Sequence, residues 1–320
     1  CIKLTGYVRG LSEYKTNPKM VNVEISVPKL LYGNNLDEVE EKDFPIAIDT
    51  LQKRLFEMGE IISKTDIENA IISGFHPSKN IVLSDGYTAY GVIKELSKIS
   101  LTKKLELTKV NFKDDGNAVQ MYAINHSIVF YDKIADLNQN NKKAVDQDQT
   151  PQQFSLFEEI KKKQPKLEIL RMEVRLSKKL KMNSIMQKLG FQKSPTFKDI
   201  FKKDVCQKIV NHYWEEMILD GNTFLFQPLN NPQRIIQRII KKDKKVKPKE
   251  VIYLAGLYII VKDLGIRELR LLLSQLSSQR SWYRIADDFK KLKLARYQYE
   301  WVNEIKDAIK KFEPLRINGP

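Results

Sequence analysis

The feature that most constrains the fold is a change of hydrophobic period near residue 180. Before it, short runs alternate between apolar and polar residues and are interspersed with runs at helical spacing. After it, only helical spacing remains. Two runs carry the alternation. In 21–27, Val21, Val23, Ile25 and Val27 share one face. In 170–176, Leu170, Met172, Val174 and Leu176 share one face, with Arg171, Glu173 and Arg175 on the other. Strands of this kind bury one face and leave the other to solvent, so they read as half-buried strands. The expected class is α+β: a mainly antiparallel-sheet domain over 1–180, then an all-helical part over 181–320.

The remaining elements follow from local signals. Pro28 removes a ladder donor and is expected to end the first strand, with 30–35 a turn. Ile46, Ile48, Leu51, Leu55 and Met58 predict a helix over 43–58 that stops at Gly59. Residues 71–75 read as a short strand leading into a loop at 76–80, and 87–99 as a second helix. Residues 104–112 and 118–131 read as strands around the turn chemistry of 114–117, with a break ahead of Ile128. The Asn-, Gln-, Lys- and Asp-rich 138–153 reads as a mobile loop inside the domain. Helices are expected over 180–190, 197–219, 232–242, 247–264, 266–277 and 281–312. Breakers or caps at Ser194, Gly221, Pro232, Pro248 and Gly265 divide them.

Fifty-five Lys and Arg against 40 Asp and Glu give a formal net charge of +15. Such a balance suits a polyanion, nucleic acid first, because Lys and Arg neutralise phosphates. A Lys-rich but otherwise ordinary protein is the plainer alternative. The longest apolar stretch, near 251–261, is too short to span a bilayer, and no amphipathic anchor stands out. The chain opens on Cys1 rather than Met, which fits a fragment or a processed chain. Two cysteines, Cys1 and Cys206, give neither a disulfide framework nor a zinc pattern. The phosphate-loop, Rossmann and zincin signatures are absent from the sequence.

Three features carry chemistry. Tyr131 ends an apolar strand, with Lys133 two residues on. A phenol there suits attack on a phosphodiester, and a nearby cation suits the charge that develops. The plainer reading is a structural tyrosine. Glu173 between Arg171 and Arg175 offers a metal-binding carboxylate beside two phosphate-binding guanidinia. A solvated salt-bridge stripe is the common alternative. His76, one of three histidines, follows a short apolar run and is a candidate ligand for Mg2+ or Mn2+. A satisfied loop histidine is the alternative. His126 has a weaker claim, and His212, beside Tyr213 and Trp214, reads as packing.

Four segments in this order resemble the replication initiators of filamentous phages, which are related to plasmid rolling-circle initiators. Residues 23–35, VEISVPKLLYGNN, look like the family's strand and K-x-L-x-G-H-N turn, with Asn34 where the family often has His. Residues 72–78, ISGFHPS, stand where the family shows S-R-I-D-x-T. Here His76 takes the acidic position and Gly74 replaces the Arg. Residues 128–137 look like the nucleophile segment, with Tyr131, Lys133 and Asp136 at matching places. Residues 170–176 look like its R-x-E-x-R strand, and 280–284 like a helix start.

The resemblance implies a replication endonuclease in a bacterial cytoplasm. It would nick one strand of double-stranded origin DNA through a covalent 5′-phosphotyrosine and leave a 3′-OH to prime synthesis. Its partners would be the duplex origin, the nicked single strand, and host helicase and polymerase. Tyr131 is the implied nucleophile, and Mg2+ or Mn2+ is expected between Glu173 and His76, with Glu24 contributing. Lys133, Arg171, Arg175 and Lys79 are expected to hold phosphates. Duplex contacts are expected from Lys241, Lys242, Lys244, Lys245, Arg280 and Arg284. A conjugative relaxase would use the same chemistry. A non-catalytic DNA-binding regulator would tolerate Phe at Tyr131. An RNA-binding protein would carry stacking signatures, which the sequence lacks.

Overall fold

The structure is a computed structural model and describes residues 2–8, 19–99, 110–113, 116–137, 167–220, 222–276, 279–294 and 297–316. The expected loop at 138–153 lies outside the described residues.

The architecture is α+β. Strands β1 (Ile2–Val8) and β2 (Lys19–Ile25) form an antiparallel pair. A five-stranded antiparallel sheet follows, built from β3 (Ser78–Leu83), β4 (Val110–Lys113), β5 (Ala118–Tyr122), β6 (Ser127–Asp132) and β7 (Glu168–Arg175). Its order is β3-β7-β6-β5-β4, so β7 and β6 are central.

The short helices α1 (Val27–Tyr32) and α3 (Lys64–Glu68) flank the longer α2 (Phe44–Glu57). Helix α4 (Ala89–Leu96) precedes β4, and α5 (Lys133–Leu137) follows β6 directly. After β7 come α6 (Lys179–Lys188), α7 (Phe197–Ile200) and α8 (Lys203–His212), which runs on as a π-helical turn over Tyr213–Leu219. The chain then forms α9 (Pro232–Lys242), α10 (Pro248–Leu264), α11 (Ile266–Ser274), α12 (Gln279–Asp288) and α13 (Glu300–Lys311).

The alternation of β6 and β7, interrupted by Val129 and Ile169 on the otherwise polar side, creates a two-faced sheet. Ile128, Phe130, Leu170, Met172 and Val174 are fully buried on one face. Helices α4, α8 and α13 pack there, and Phe130 meets Trp214 edge-on with ring centroids 6.4 Å apart. The opposite face carries Ser78, Asn80, Gln120, Tyr131, Arg171, Glu173 and Arg175, set side by side by register. A smaller core of Ile48, Leu51, Leu55, Ile67 and Phe197 joins α2, α3 and α7 to the β1–β2 pair.

The change of period at residue 180 is a change of element type and not a break in packing. Sheet residues and residues from α8 to α13 share one continuous core.

Several local expectations are corrected. Val27 is not a strand residue; it starts α1, with Pro28 in the first turn, where a missing N–H costs nothing. Residues 71–75 form only isolated bridges, Ile71 to Thr196 and Phe75 to Leu176. The strand is β3, which begins at Ser78 inside the stretch 76–80 expected to be a loop and runs on to Leu83. Ser78 and Asn80 look like turn residues but face the polar side, while Lys79 takes a buried position. The run 118–131 is two strands joined by a tight turn, in which Ala123 N–H bonds His126 O at 3.0 Å. The helix expected over 281–312 is broken into α12, a 3-10 turn at Phe289–Leu292 and α13. Among the described residues no helix is long and apolar enough to cross a membrane.

Candidate active site on the open face of the sheet

The polar face of the sheet floors a cleft of about 1240 Å³, walled by β2, the 35–42 loop and the 72–78 segment. Glu173 lies at its centre on β7, with Ser78 on one neighbouring strand and Val129 on the other. Its carboxylate is buried. Arg175, two residues on and therefore on the same face, donates from Nε to Glu173 Oε1 at 2.6 Å. The Tyr131 hydroxyl, from the neighbouring strand, makes a long hydrogen bond to Glu173 Oε2 at 3.3 Å. Arg171 Nε stands 3.8 Å from the same oxygen. His76, in the loop entering β3, places Nδ1 3.9 Å from Glu173 Oε1.

The electrostatics follow from burial opposed by the arginines. Burial alone would raise the Glu173 carboxyl, but Arg175 and Arg171 outweigh it and hold it below the usual value, so Glu173 is ionised. Burial pushes the Tyr131 phenol well up; Arg171 works against this and Glu173 with it. Tyr131 therefore rests as a neutral phenol. Burial lowers His76 against the pull of Glu173, which keeps the imidazole neutral near pH 7.

Arg171 is clamped in place. It donates to Asn35 O at 3.0 Å, to Asn80 Oδ1 at 3.2 Å and to Ser78 Oγ at 2.7 Å. Its Nε has no hydrogen-bond partner among the described residues. Arg175 is the more open of the two, with a third of its side chain exposed. Arg175 is thus the better placed to meet an incoming phosphate, and Arg171 to hold the floor rigid.

The structure brings together Tyr131, Glu173, His76, Arg171 and Arg175. Other expected site residues lie elsewhere. Lys133 is fully buried, with Nζ donating to Asn35 Oδ1 at 2.8 Å and Asp136 Oδ2 at 3.0 Å. Its ammonium lies over the Tyr131 ring, 5.4 Å from the ring centre. Lys79 points to the opposite face of the sheet, buried and ion-paired with Glu38, which removes it from the cleft. Glu24 lies on the cleft wall but is exposed, 3.9 Å from Lys3. Lys242 donates to the carbonyls of Lys290, Lys291 and Lys293 at 3.0–3.4 Å, so it closes a helix end. Lys241, Lys244, Lys245, Arg280 and Arg284 are exposed on the helical side of the molecule.

The expected metal ligands do not fit a divalent ion as arranged. Among the described residues no group of three or more His, Cys, Asp or Glu side chains comes together. Both oxygens of Glu173 are engaged by Arg175 and Tyr131, and a cation there would have to displace a guanidinium. His76 and, on the cleft wall, Glu24 are the other donors of the expected set.

Sequence reasoning passed over the residues that hold the floor. Asn35, Ser78 and Asn80 fix Arg171, while Glu38 accepts from Asn80 N at 2.6 Å and Leu315 N at 2.9 Å. Reading 78–83 as a strand would have put Ser78 and Asn80 on one face. The contribution of Glu38 comes from a loop 41 residues from Lys79 and leaves no local pattern. No family model matches the chain, and no curated protein and no solved structure matches it either.

Proposed function

We propose that this chain is a tyrosine-nucleophile DNA strand transferase, a replication initiator that nicks one strand of a duplex origin. The observation that carries the reading is the Tyr131 hydroxyl against an ionised, arginine-flanked Glu173 on the floor of an open cleft. In the proposed reaction Tyr131 Oη attacks the scissile phosphorus. The Oη–P bond forms as the P–O3′ bond breaks. The phenolic proton passes to Glu173, and the 3′ oxygen leaves and takes a proton from solvent to become a free 3′-OH. The 5′ phosphate stays on Tyr131, so the reverse reaction rejoins the strand.

The raised affinity of Tyr131 for its proton means that proton transfer accompanies attack and does not precede it. Arg175 approaches the charge that develops on the phosphoryl oxygens, and Arg171 keeps Glu173 ionised and oriented. His76 stands at the same edge of the cleft as a neutral hydrogen-bonding group.

The test is a nicking assay on supercoiled DNA carrying the element's own origin, run in Mn2+, in Mg2+ and in chelator. Wild type is expected to give open circles and a protein–DNA adduct that survives a denaturing gel. Tyr131→Phe is expected to give neither. Glu173→Gln, which keeps the shape and removes the base, is expected to slow nicking about 100-fold or more. Equal nicking by Tyr131→Phe sinks the nucleophile, and binding without nicking by wild type favours the non-catalytic regulator.

A further inference from the structure

Helix α9 is a strongly basic and largely exposed helix among the described residues. It carries Arg234, Arg238, Lys241 and Lys242 and no carboxylate. Only Ile235 and Ile239 are buried, so most of its circumference is bare. At 100° per residue, Gln237 points directly away from the core, with Gln233, Lys241, Arg234 and Ile240 within about 60° of it and Arg238 and Ile236 about 100° to either side. Asn231 caps its start, accepting from Arg234 N at 3.1 Å, and Pro232 fixes its first turn. The helix is therefore a pre-formed, rigid ridge.

Its cations are unlike their neighbours. Lys290 pairs with Asp287 at 2.8 Å and Lys291 with Glu250 at 3.0 Å. Among the described residues no carboxylate lies within ion-pair distance of Arg234, Arg238 or Lys241. The segment after the helix adds Lys244, Lys245, Lys247 and Lys249, all exposed. A solvated helix face mixes both signs, and this one does not.

We propose that α9 reads sequence in the major groove of duplex DNA, with Gln233 and Gln237 aimed at base edges. This rests on the reading that duplex DNA is the substrate. A groove about 12 Å wide admits a helix. Glutamine matches the N6 and N7 edge of adenine, arginine the O6 and N7 edge of guanine, and an exposed isoleucine the methyl group of thymine. Arg234 and Arg238 sit on the flank from which either a guanine or a phosphate is reached. Lys241, Lys244, Lys245, Lys247 and Lys249 supply the backbone contacts that fix position and carry no sequence information. Helix α9 has no aromatic side chain on which an unpaired base could stack, so it fits a duplex and not a single strand.

The experiment uses the full chain carrying Tyr131→Phe, so that binding is read without cleavage. Binding sequences are selected from a duplex DNA library with a randomised core, and in parallel from an RNA hairpin library. Affinity is then measured by fluorescence anisotropy for the selected duplex and for a scrambled one. The parent protein is expected to enrich one motif. The double variant Gln233→Ala, Gln237→Ala is expected to bind the selected duplex about tenfold or more weakly and the scrambled duplex unchanged. The pair Lys244→Ala, Lys245→Ala is expected to weaken both equally and flatten the salt dependence.

A glutamine variant that keeps both motif and affinity overturns the proposal. So does selection that yields no motif, or one that favours RNA. If the selected duplex is bound through α9 but wild type never nicks it, the nucleophile assignment fails and the reading helix stands.

Discussion

At the residue scale, the site turns on how buried charges are balanced. Glu173 remains a carboxylate in a buried place only because Arg175 and Arg171 stand against it. Removing one guanidinium would leave the other charges under-compensated. His126 shows the opposite arrangement. It is buried, its Nδ1 lies 2.8 Å from the Tyr213 hydroxyl, and burial with Lys181 nearby lowers its pKa from 6.5 to about 4. The fold thus favours the neutral ring. That stabilisation is complete above the unfolded pKa and is lost as pH falls from 6.5 through about 4. Chemical denaturation is expected to show a loss of roughly 2 to 3 kcal/mol between pH 7 and 4.5 from this group. His126→Gln is expected to remove that part of the slope; an unchanged slope would place the titration elsewhere.

At the element scale, the chain joins rigid pieces at points that tolerate little. Gly265 joins α10 to α11 with φ +89, and an added Cβ would fall 2.7 Å from Lys98 Cα and 2.9 Å from Lys98 O. Ile266 N–H bonds Lys98 O at 2.9 Å, so neither backbone can retreat without losing that bond. Gly265→Ala is expected to cost roughly 2 to 4 kcal/mol, from φ strain and overpacking together. A thermal midpoint equal to wild type would contradict this. The same scale explains which elements could be read in advance. Strand β7 and helices α2 and α9 were legible because each repeats apolar residues at the period of the face it buries, although Ile46, Ile236 and Ile240 stay exposed. Strand β3 was not, because Lys79 holds a core position that only its ion pair with Glu38 permits.

At the scale of the whole molecule, the apolar side of the sheet needs the C-terminal helices. Leu170, Met172 and Val174 share a core with Ile209, Val210, Trp214 and Ile305. A chain ending at residue 180 would leave that face covered by α4 alone, and burial of this kind is the main favourable contribution to folding. Residues 1–180 alone are expected to give no cooperative thermal unfolding and no fixed near-ultraviolet circular dichroism. A cooperative transition would instead show that the sheet is an independent unit.

The sequence by itself determined the α+β class, the two faces of β7 and the basic helical half. These depend on period and composition, which are local. It also marked Tyr131, Glu173 and His76 one by one. Only the tertiary structure decided that Tyr131 sits against Glu173, since strand register brings together residues 42 apart. Only it decided, too, that Lys133 and Lys79 are structural cations. Whether a lysine faces a cleft or closes a core depends on the partner carboxylate, here Asp136 or Glu38. That pairing is a matter of distance in space, which no local period records.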